Sequence, residues 1–457
     1  MSVFTTTGRA AATTFVTDYQ SIGINAANLG WASTYEGKTL AFGALEGSYS
    51  LHSEALLRQD LRREFFNSRK DLTWAERKEA ARAFADAGLQ LNADVMLAGV
   101  AYQNESIGGI GLQIRDRAQW SSKFGPFASE LVFEGYGADY FDLLVLASGD
   151  TINNVAGLPD DSLALVVAGL ANDPQLLGRL FDGTHVNFNW YREYALGYGR
   201  MIVASEGFEL FAGIGVKHLV GLGIIQIATE GERFSAFSSL SDDFDIDYGN
   251  GVQRRRNAGL PRAAGRGWGF DMGLSALIND RIKLGVAINN IGSIKWTGNS
   301  YEASNGSLGT LATNGIDNYN FFGNIEEFVT NSGLFEWQPG AERNIALPTD
   351  LRAGAGLIVN EKVEVGADLV LPLNDVPGNF RSPLFGVGGH VNALPWLRLA
   401  TGISVGGGYP VKVPIGGTLI LGKGTYEAGL ASRDVITFFT SRNPTISLAV
   451  GLLRFRF

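Results

Sequence analysis

The densest run of chemically capable side chains is Asp243-Phe-Asp245-Ile-Asp247-Tyr-Gly249, followed closely by Arg254, Arg255 and Arg256. Alternating carboxylates open a calcium loop, but here glycine comes one place later than such a loop requires and no glutamate stands at its twelfth position. Strand spacing instead turns the three carboxylates to one side, toward water. These six residues are expected to form a charge cluster in a wet lumen or at its rim, with Arg262 and Arg266 close enough in sequence to pair with the carboxylates. The rim is favoured, because three consecutive arginines cannot all turn inward from one strand and a cation facing lipid costs roughly 2 to 4 kcal/mol at the midplane. Elsewhere chemistry is sparse. His52, His185, His218 and His390 are scattered and match no metal-ligand spacing. There is no cysteine, hence no thiolate ligand or nucleophile, and no nucleophile elbow, phosphate loop or dinucleotide fingerprint. The sequence therefore predicts no enzyme, no cofactor and no metal. A net charge of -9 argues against a nucleic-acid partner.

The elements that must carry these residues are strands. At the C-terminus Leu453, Phe455 and Phe457 fall on one face and Arg454 and Arg456 on the other, the period of a strand between lipid and a polar lumen. Phe270, Met272, Leu274, Ala276 and Ile278 share a face, Asn279-Asp280-Arg281 turns the chain, and Ile282, Leu284, Val286 and Ile288 resume the face. A second hairpin runs from Leu351 to Val359, turns at Asn360-Glu361-Lys362 and returns from Val363 to Leu371. A third begins after Ser205-Glu206-Gly207 with Phe208, Leu210, Ala212, Ile214 and Val216 on one side. No uninterrupted apolar run is long enough for a spanning helix, so a membrane must be crossed by strands. Charged residues are only 18% and glycines number 60, in keeping with close strand packing and tight turns. The fold class expected is all-β, a transmembrane antiparallel barrel in one domain.

Two stretches interrupt the β pattern. Residues 56–87 read as helix, with a capping box at Thr73-Trp-Ala-Glu76 and a stop at Gly88; residues 163–180 also read as helix, broken at Asn172-Asp173-Pro174. Residues 301–348 are polar, rich in Asn, Gly and Ser, and read as an extracellular loop. Residues 1–35 mix Asn, Ala and Gly without sustained alternation and are expected to form a plug inside a barrel spanning 36–457. The first residues lack a basic and then apolar leader, so numbering is expected to begin at a mature, exported chain.

The segment Asp18-Tyr-Gln-Ser-Ile-Gly-Ile-Asn25-Ala-Ala-Asn28-Leu-Gly30-Trp31 resembles the hatch near the start of FadL-type and PorV-type outer-membrane barrels, with Ala26 where that motif has proline. Lys217-His-Leu-Val-Gly221, Gly267-Trp-Gly-Phe-Asp271-Met-Gly273, Lys283-Leu-Gly285 and Ile291-Gly-Ser-Ile-Lys-Trp296 also resemble that superfamily. Ala93-Asp-Val-Met-Leu-Ala-Gly-Val-Ala101 with Ile107-Gly-Gly-Ile-Gly-Leu-Gln-Ile-Arg-Asp-Arg117 is similar to an outer-membrane barrel family of Bacteroidota. The resemblance implies about fourteen strands, a hatch in which Asn25, Asn28 and Gly30 stand at the motif positions, and uptake of hydrophobic small molecules across the outer membrane. Its PorV-type branch implies instead a non-transporting scaffold or accessory subunit of a complex such as the type IX secretion system. Implied partners are the lipid bilayer, a lipid-like or other hydrophobic ligand, and in the alternative another protein.

Overall fold

A computed structural model describes residues 4–31, 35, 37–57, 71–85, 87–246, 248, 261–318, 334–436 and 444–457. Fourteen of its strands close on themselves into one antiparallel wall. The first five are β1 (Leu40–Ser53), β2 (Gly88–Asn104), β3 (Gly108–Lys123), β4 (His185–Ser205) and β5 (Phe208–Glu230). The next five are β6 (Gly265–Ile278), β7 (Ile282–Trp296), β8 (Asp350–Asn360), β9 (Val363–Pro372) and β10 (Leu384–Leu394). The wall ends with β11 (Leu397–Gly406), β12 (Ile415–Leu421), β13 (Tyr426–Ser432) and β14 (Thr445–Arg456). Each pairs with its neighbour in sequence, and β14 returns to β1 with Ala41 opposite Arg456 and His52 opposite Thr445. Closure leaves no wall strand with an unpaired edge, the condition a sheet must meet in hydrocarbon.

The hairpins lie where periodicity puts them. Asn279 and Asp280 adopt left-handed backbone (φ 50° and 54°) between β6 and β7, and the Asn360 carboxamide oxygen accepts from the backbone N–H of Lys362 and Val363 between β8 and β9. All such short turns gather at one end, together with Phe457, whose backbone pairs with Leu40. All long connections lie at the other. Outward positions are apolar and exposed, as at Leu274, Leu284, Val286, Leu357 and Val365, and Phe42, Tyr102, Tyr198, Trp396 and Phe457 ring the short-turn end. Arg454 and Arg456 turn inward and are buried, as the alternation at the C-terminus requires.

Above the long-connection end sits a cap. Its helices α1 (Trp74–Phe84) and α2 (Pro126–Glu134) stack Phe84 on Phe133 with ring centroids 5.4 Å apart. Thr73 and Glu76 close the expected capping box, the Glu76 carboxylate accepting from the Thr73 N–H at 2.8 Å. Of the helix expected over 56–87, Glu54–Leu57 is a 3-10 turn, residues 58–70 lie outside the described residues, and the α-helix ends at Phe84, short of Gly88, which already pairs with Lys123 in the wall.

Residues 163–180 are a correction. Val166–Leu176 is a strand, flanked by single helical turns, in a separate antiparallel sheet with Leu143–Leu146, Thr151–Asn153 and Ser307–Leu311. The apolar run around Val166 fits a helix locally, but pairing with segments distant in sequence decides. Pro174, which lacks an N–H, falls in the irregular stretch of that pairing, where no ladder bond is lost. The long connection containing residues 301–348 also holds strand among its described residues: Tyr301 pairs with Ser238 and Pro339.

Candidate functional site

Residues 4–31 pack against the inward faces of the wall, and almost all of them are buried. The packing is possible because the wall presents glycine where the segment passes. A Cβ on Gly386 would fall on the Ala10 carbonyl, one on Gly109 on the Leu29 carbonyl, and one on Gly213 on the Ala26–Ala27 peptide. Many of the chain's strand glycines are explained by this close approach of two backbones.

Polar side chains then anchor the segment around the circumference. Asp18 accepts from Arg454 at 2.7 Å and from Arg456 at 3.0 Å on β14; the same guanidinium groups reach Glu427 of β13 at 3.2 and 2.8 Å. Tyr19 donates to Glu46 of β1 at 2.5 Å, and Gln20 donates to its other oxygen at 2.6 Å. Asp368 of β9 accepts from the N–H groups of Ala12 and Thr13 and from the Thr13 hydroxyl, at 2.6, 2.9 and 2.9 Å. Gln103 of β2 donates to the carbonyls of Leu29 and Trp31. Every one of these charged anchors is buried, so each stands only because its partner is in place.

The motif residues divide between wall and segment. Asn25 caps the short turn Ala26–Gly30, accepting from the Ala27 N–H at 3.1 Å, and its amide donates to the Leu274 carbonyl of β6 at 3.1 Å. Asn28 instead ties the segment to itself, donating to the carbonyls of Thr13 and Val16. Gly30 lies where a side chain would strike the Arg200 backbone of β4.

Beyond the segment, toward the cap, the lumen is ionic. Lys217, fully buried, pairs with Asp271 at 2.8 Å and donates to Asn290 at 2.6 Å; Arg117 sits 3.5 Å from Glu193 and 3.7 Å from Asp94. A hollow of about 150 Å³ follows, bordered by Gly23 and Ile24 below and by Arg115, Arg117, Arg352 and Arg433 around. It continues toward the cap as a polar vestibule of about 680 Å³ lined by residues such as Gln90, Asn187 and Asn379. On the far side of the segment a hollow of about 70 Å³ is bounded by Arg9, Lys283, Glu364, His390 and Arg398.

The acidic run does not keep strand geometry. Asp242–Phe244 is a single 3-10 turn capped by Ser241, and Asp245 is left-handed (φ 51°), so its carboxylates do not share one face of a strand. The local hydrogen bond that the Asp243 N–H donates to the Ser241 hydroxyl oxygen outcompetes extension. The run lies in the connection between β5 and β6 at the cap end, where Asp243 meets Arg262 at 3.7 Å with both side chains about half exposed (48% and 52%). Asp247, Arg254, Arg255 and Arg256 lie outside the described residues. Among the described residues no group of three or more His, Asp or Glu is arranged to hold a metal.

Asp18, Glu46, Asp94, Asp368 and Glu427 escaped the motif search because none belongs to a catalytic or metal pattern. For the four wall acids the signal was parity: an acid at an inward position of an otherwise apolar alternating strand, as with Asp368 between Ala367 and Leu369.

A family model described as "Family of unknown function (DUF5723)" matches residues 132–370, just over half of the chain. The chain belongs to this family. No curated protein matches it. Among solved structures it is similar to the toluene transporter TbuX of Ralstonia pickettii, at 10% identity over 100% of this chain and 98% of that one, with a TM-score of 0.48. The toluene transporter TodX of Pseudomonas putida is 11% identical over 99% and 96% of the two chains, with a TM-score of 0.41. A Pseudomonas aeruginosa FadL homologue is 9% identical over 99% and 96%, with a TM-score of 0.44.

Proposed function

We propose that this chain is an outer-membrane transport barrel in which residues 4–31 act as a luminal plug, and that a small molecule crosses when this segment moves. The observation that carries the reading is the ring of polar anchors, Asp18, Tyr19, Gln20 and Asn25 on the segment against Glu46, Asp368, Arg454 and Arg456 on the wall. Groups paired in this way can exchange partners with water on both sides when they part, which an apolar seal could do only at greater cost. The short-turn end is assigned to the periplasm and the cap to the cell exterior.

Hydrophobic small molecules are the cargo that the hatch resemblance implies, and toluene is the cargo named for TodX and TbuX. The hollows favour a more polar class. The two larger ones inside the wall are edged by charged and amide side chains, whereas the mainly apolar hollow of about 570 Å³, edged by Leu284, Val286 and Phe385, opens on the outer face. The cargo that suits this lumen is therefore small and hydrophilic. In planar bilayers the full chain should conduct poorly and deletion of residues 2–31 should raise conductance; equal conductance would remove the plug. Fractionation with inner rather than outer membranes would remove the location.

A second reading, a non-transporting scaffold, draws on one feature. The cap exposes Phe127 (54%), Val155 (56%), Leu165 (59%) and Val167 (47%), apolar side chains a partner protein would cover. A photo-crosslinker at Leu165 that yields one discrete protein adduct in cells, with conductance unaffected by the deletion, would favour it.

A further inference from the structure

The hollow of about 150 Å³ beyond the segment is lined asymmetrically. Four guanidinium groups, Arg115, Arg117, Arg352 and Arg433, border it against two carboxylates, Asp94 and Asp350. Two further acids stand behind the lining: Glu193 and Asp271 are 1% exposed as side chains, Glu193 lying 3.5 Å from Arg117 and 4.0 Å from Lys217, and Asp271 2.8 Å from Lys217. A solute in the hollow thus meets mainly donors. Arg352 is the least satisfied of them. It is buried (7% exposed), its Nε lies 2.7 Å from Asp350, and its Nη1 has no hydrogen-bond partner among the described residues. A buried guanidinium nitrogen without an acceptor is costly unless an acceptor arrives.

We infer that this hollow is a binding site for a small oxyanion, a phosphate or a compact di- or tricarboxylate, held by Arg352 with Arg117 and Arg115. The inference rests on the reading of the lumen as a path for small hydrophilic molecules and names their charge. Size agrees: at about 30 Å³ per water the hollow holds on the order of five waters, the bulk of a phosphate or a short polycarboxylate. Planar guanidinium forks suit such oxygens, since two parallel N–H groups can meet two oxygens at once. The hollow is bordered by inward residues and by Gly23 and Ile24 of the N-terminal segment, so the anion arrives as a free solute rather than as a lipid headgroup. Asp350 competes with it for Arg352, which sets the direction of two opposite substitutions.

The test is calorimetric titration of the purified full-length protein in a zwitterionic detergent with inorganic phosphate, citrate, neutral glycerol and dihexanoyl phosphatidic acid. Saturable binding of phosphate or citrate, absent for glycerol, is expected. Arg352→Gln should weaken it at least tenfold, and Asp350→Asn should tighten it severalfold while keeping heat-modifiable migration. A purely structural pair would lose binding in both variants. Phosphatidic acid binding without phosphate or citrate binding would overturn the free-solute assignment, and no saturable anion binding would overturn the site. Because binding is read without flux, its loss leaves the conductance test of the plug untouched, and a conductance that ignores residues 2–31 leaves the site standing.

Discussion

The Asp18 anchor offers the sharpest perturbation of the proposed plug. One carboxylate oxygen of this residue, buried in left-handed backbone (φ 53°), accepts from Arg454 at 2.7 Å and from Arg456 at 3.0 and 3.3 Å. Asp18→Asn keeps shape but removes the charge, leaving two buried guanidinium groups to share Glu427. Removing one partner of a buried pair costs about 3 to 5 kcal/mol. The cost falls on the docked arrangement alone, because water reaches Arg454 and Arg456 once the segment leaves. At about 1.4 kcal/mol per tenfold, the undocked population should rise by a factor of roughly 140 to 3700. Ser21, fully buried and three residues away, supplies the reporter in a chain without cysteine. With Ser21→Cys in both backgrounds, maleimide labelling should be faster with Asp18→Asn by at least a hundredfold, while heat-modifiable migration shows an intact wall. A rate change under about threefold, far below a broken buried pair, would refute the claim that this ion cluster holds the segment in place.

Three further outcomes follow from the same geometry. Gly386→Ala sets a methyl on the Ala10 carbonyl, and the three atoms nearest to it all belong to Ala10; the crowding should cost about 1 to 3 kcal/mol and raise conductance without unfolding the barrel, and unaltered conductance would contradict the close approach. Thr14→Cys with Gly356→Cys brings two β-carbons to 3.3 Å, a few tenths short of the usual disulfide range of about 3.5 to 4.5 Å. Oxidation should abolish solute-driven swelling of liposomes and reductant restore it, whereas swelling indifferent to the bond would mean the segment need not move. In the cap, burial, opposed by Lys78, pushes the Glu134 carboxyl up from 4.5 to about 7. An acid raised in the folded state binds its proton there after the unfolded chain has lost it, so local stability should fall as pH rises from about 4.5 to 7, by something of order 1 kcal/mol after solvent screening. Amide protection in α2, taken relative to the intrinsic base-catalysed exchange rate, should fall over that window and stay level in Glu134→Gln; protection independent of pH in the native protein would sink the assignment.

What the sequence disclosed depended on the distance over which each feature is decided. The barrel was legible because a strand at a lipid boundary writes its own environment into a period of two: Leu453, Phe455 and Phe457 outward, Arg454 and Arg456 inward. Turns were legible because Asn279-Asp280 and Asn360 act within three residues. The strand Val166–Leu176 was misread as helix because its identity is set by Leu143–Leu146 and Ser307–Leu311, and nothing within a turn of Val166 says so. The lumen failed for the same reason on a larger scale. Asp18 is one unremarkable acid in a run of small residues, and only closure of β14 on β1, more than four hundred positions away, brings Arg454 and Arg456 onto it. Yet such a site leaves a local trace. A strand that spends an inward position on Asp368, Lys217 or Arg352 must recover the desolvation of that charge from something opposite it, and a strand that spends the next on glycine makes room for backbone there. Charge and glycine at the same parity, as in Gly366 and Asp368 or Gly354 and Arg352, therefore mark a wall built to receive a second piece of chain, and that pattern can be sought in sequence before any partner is known.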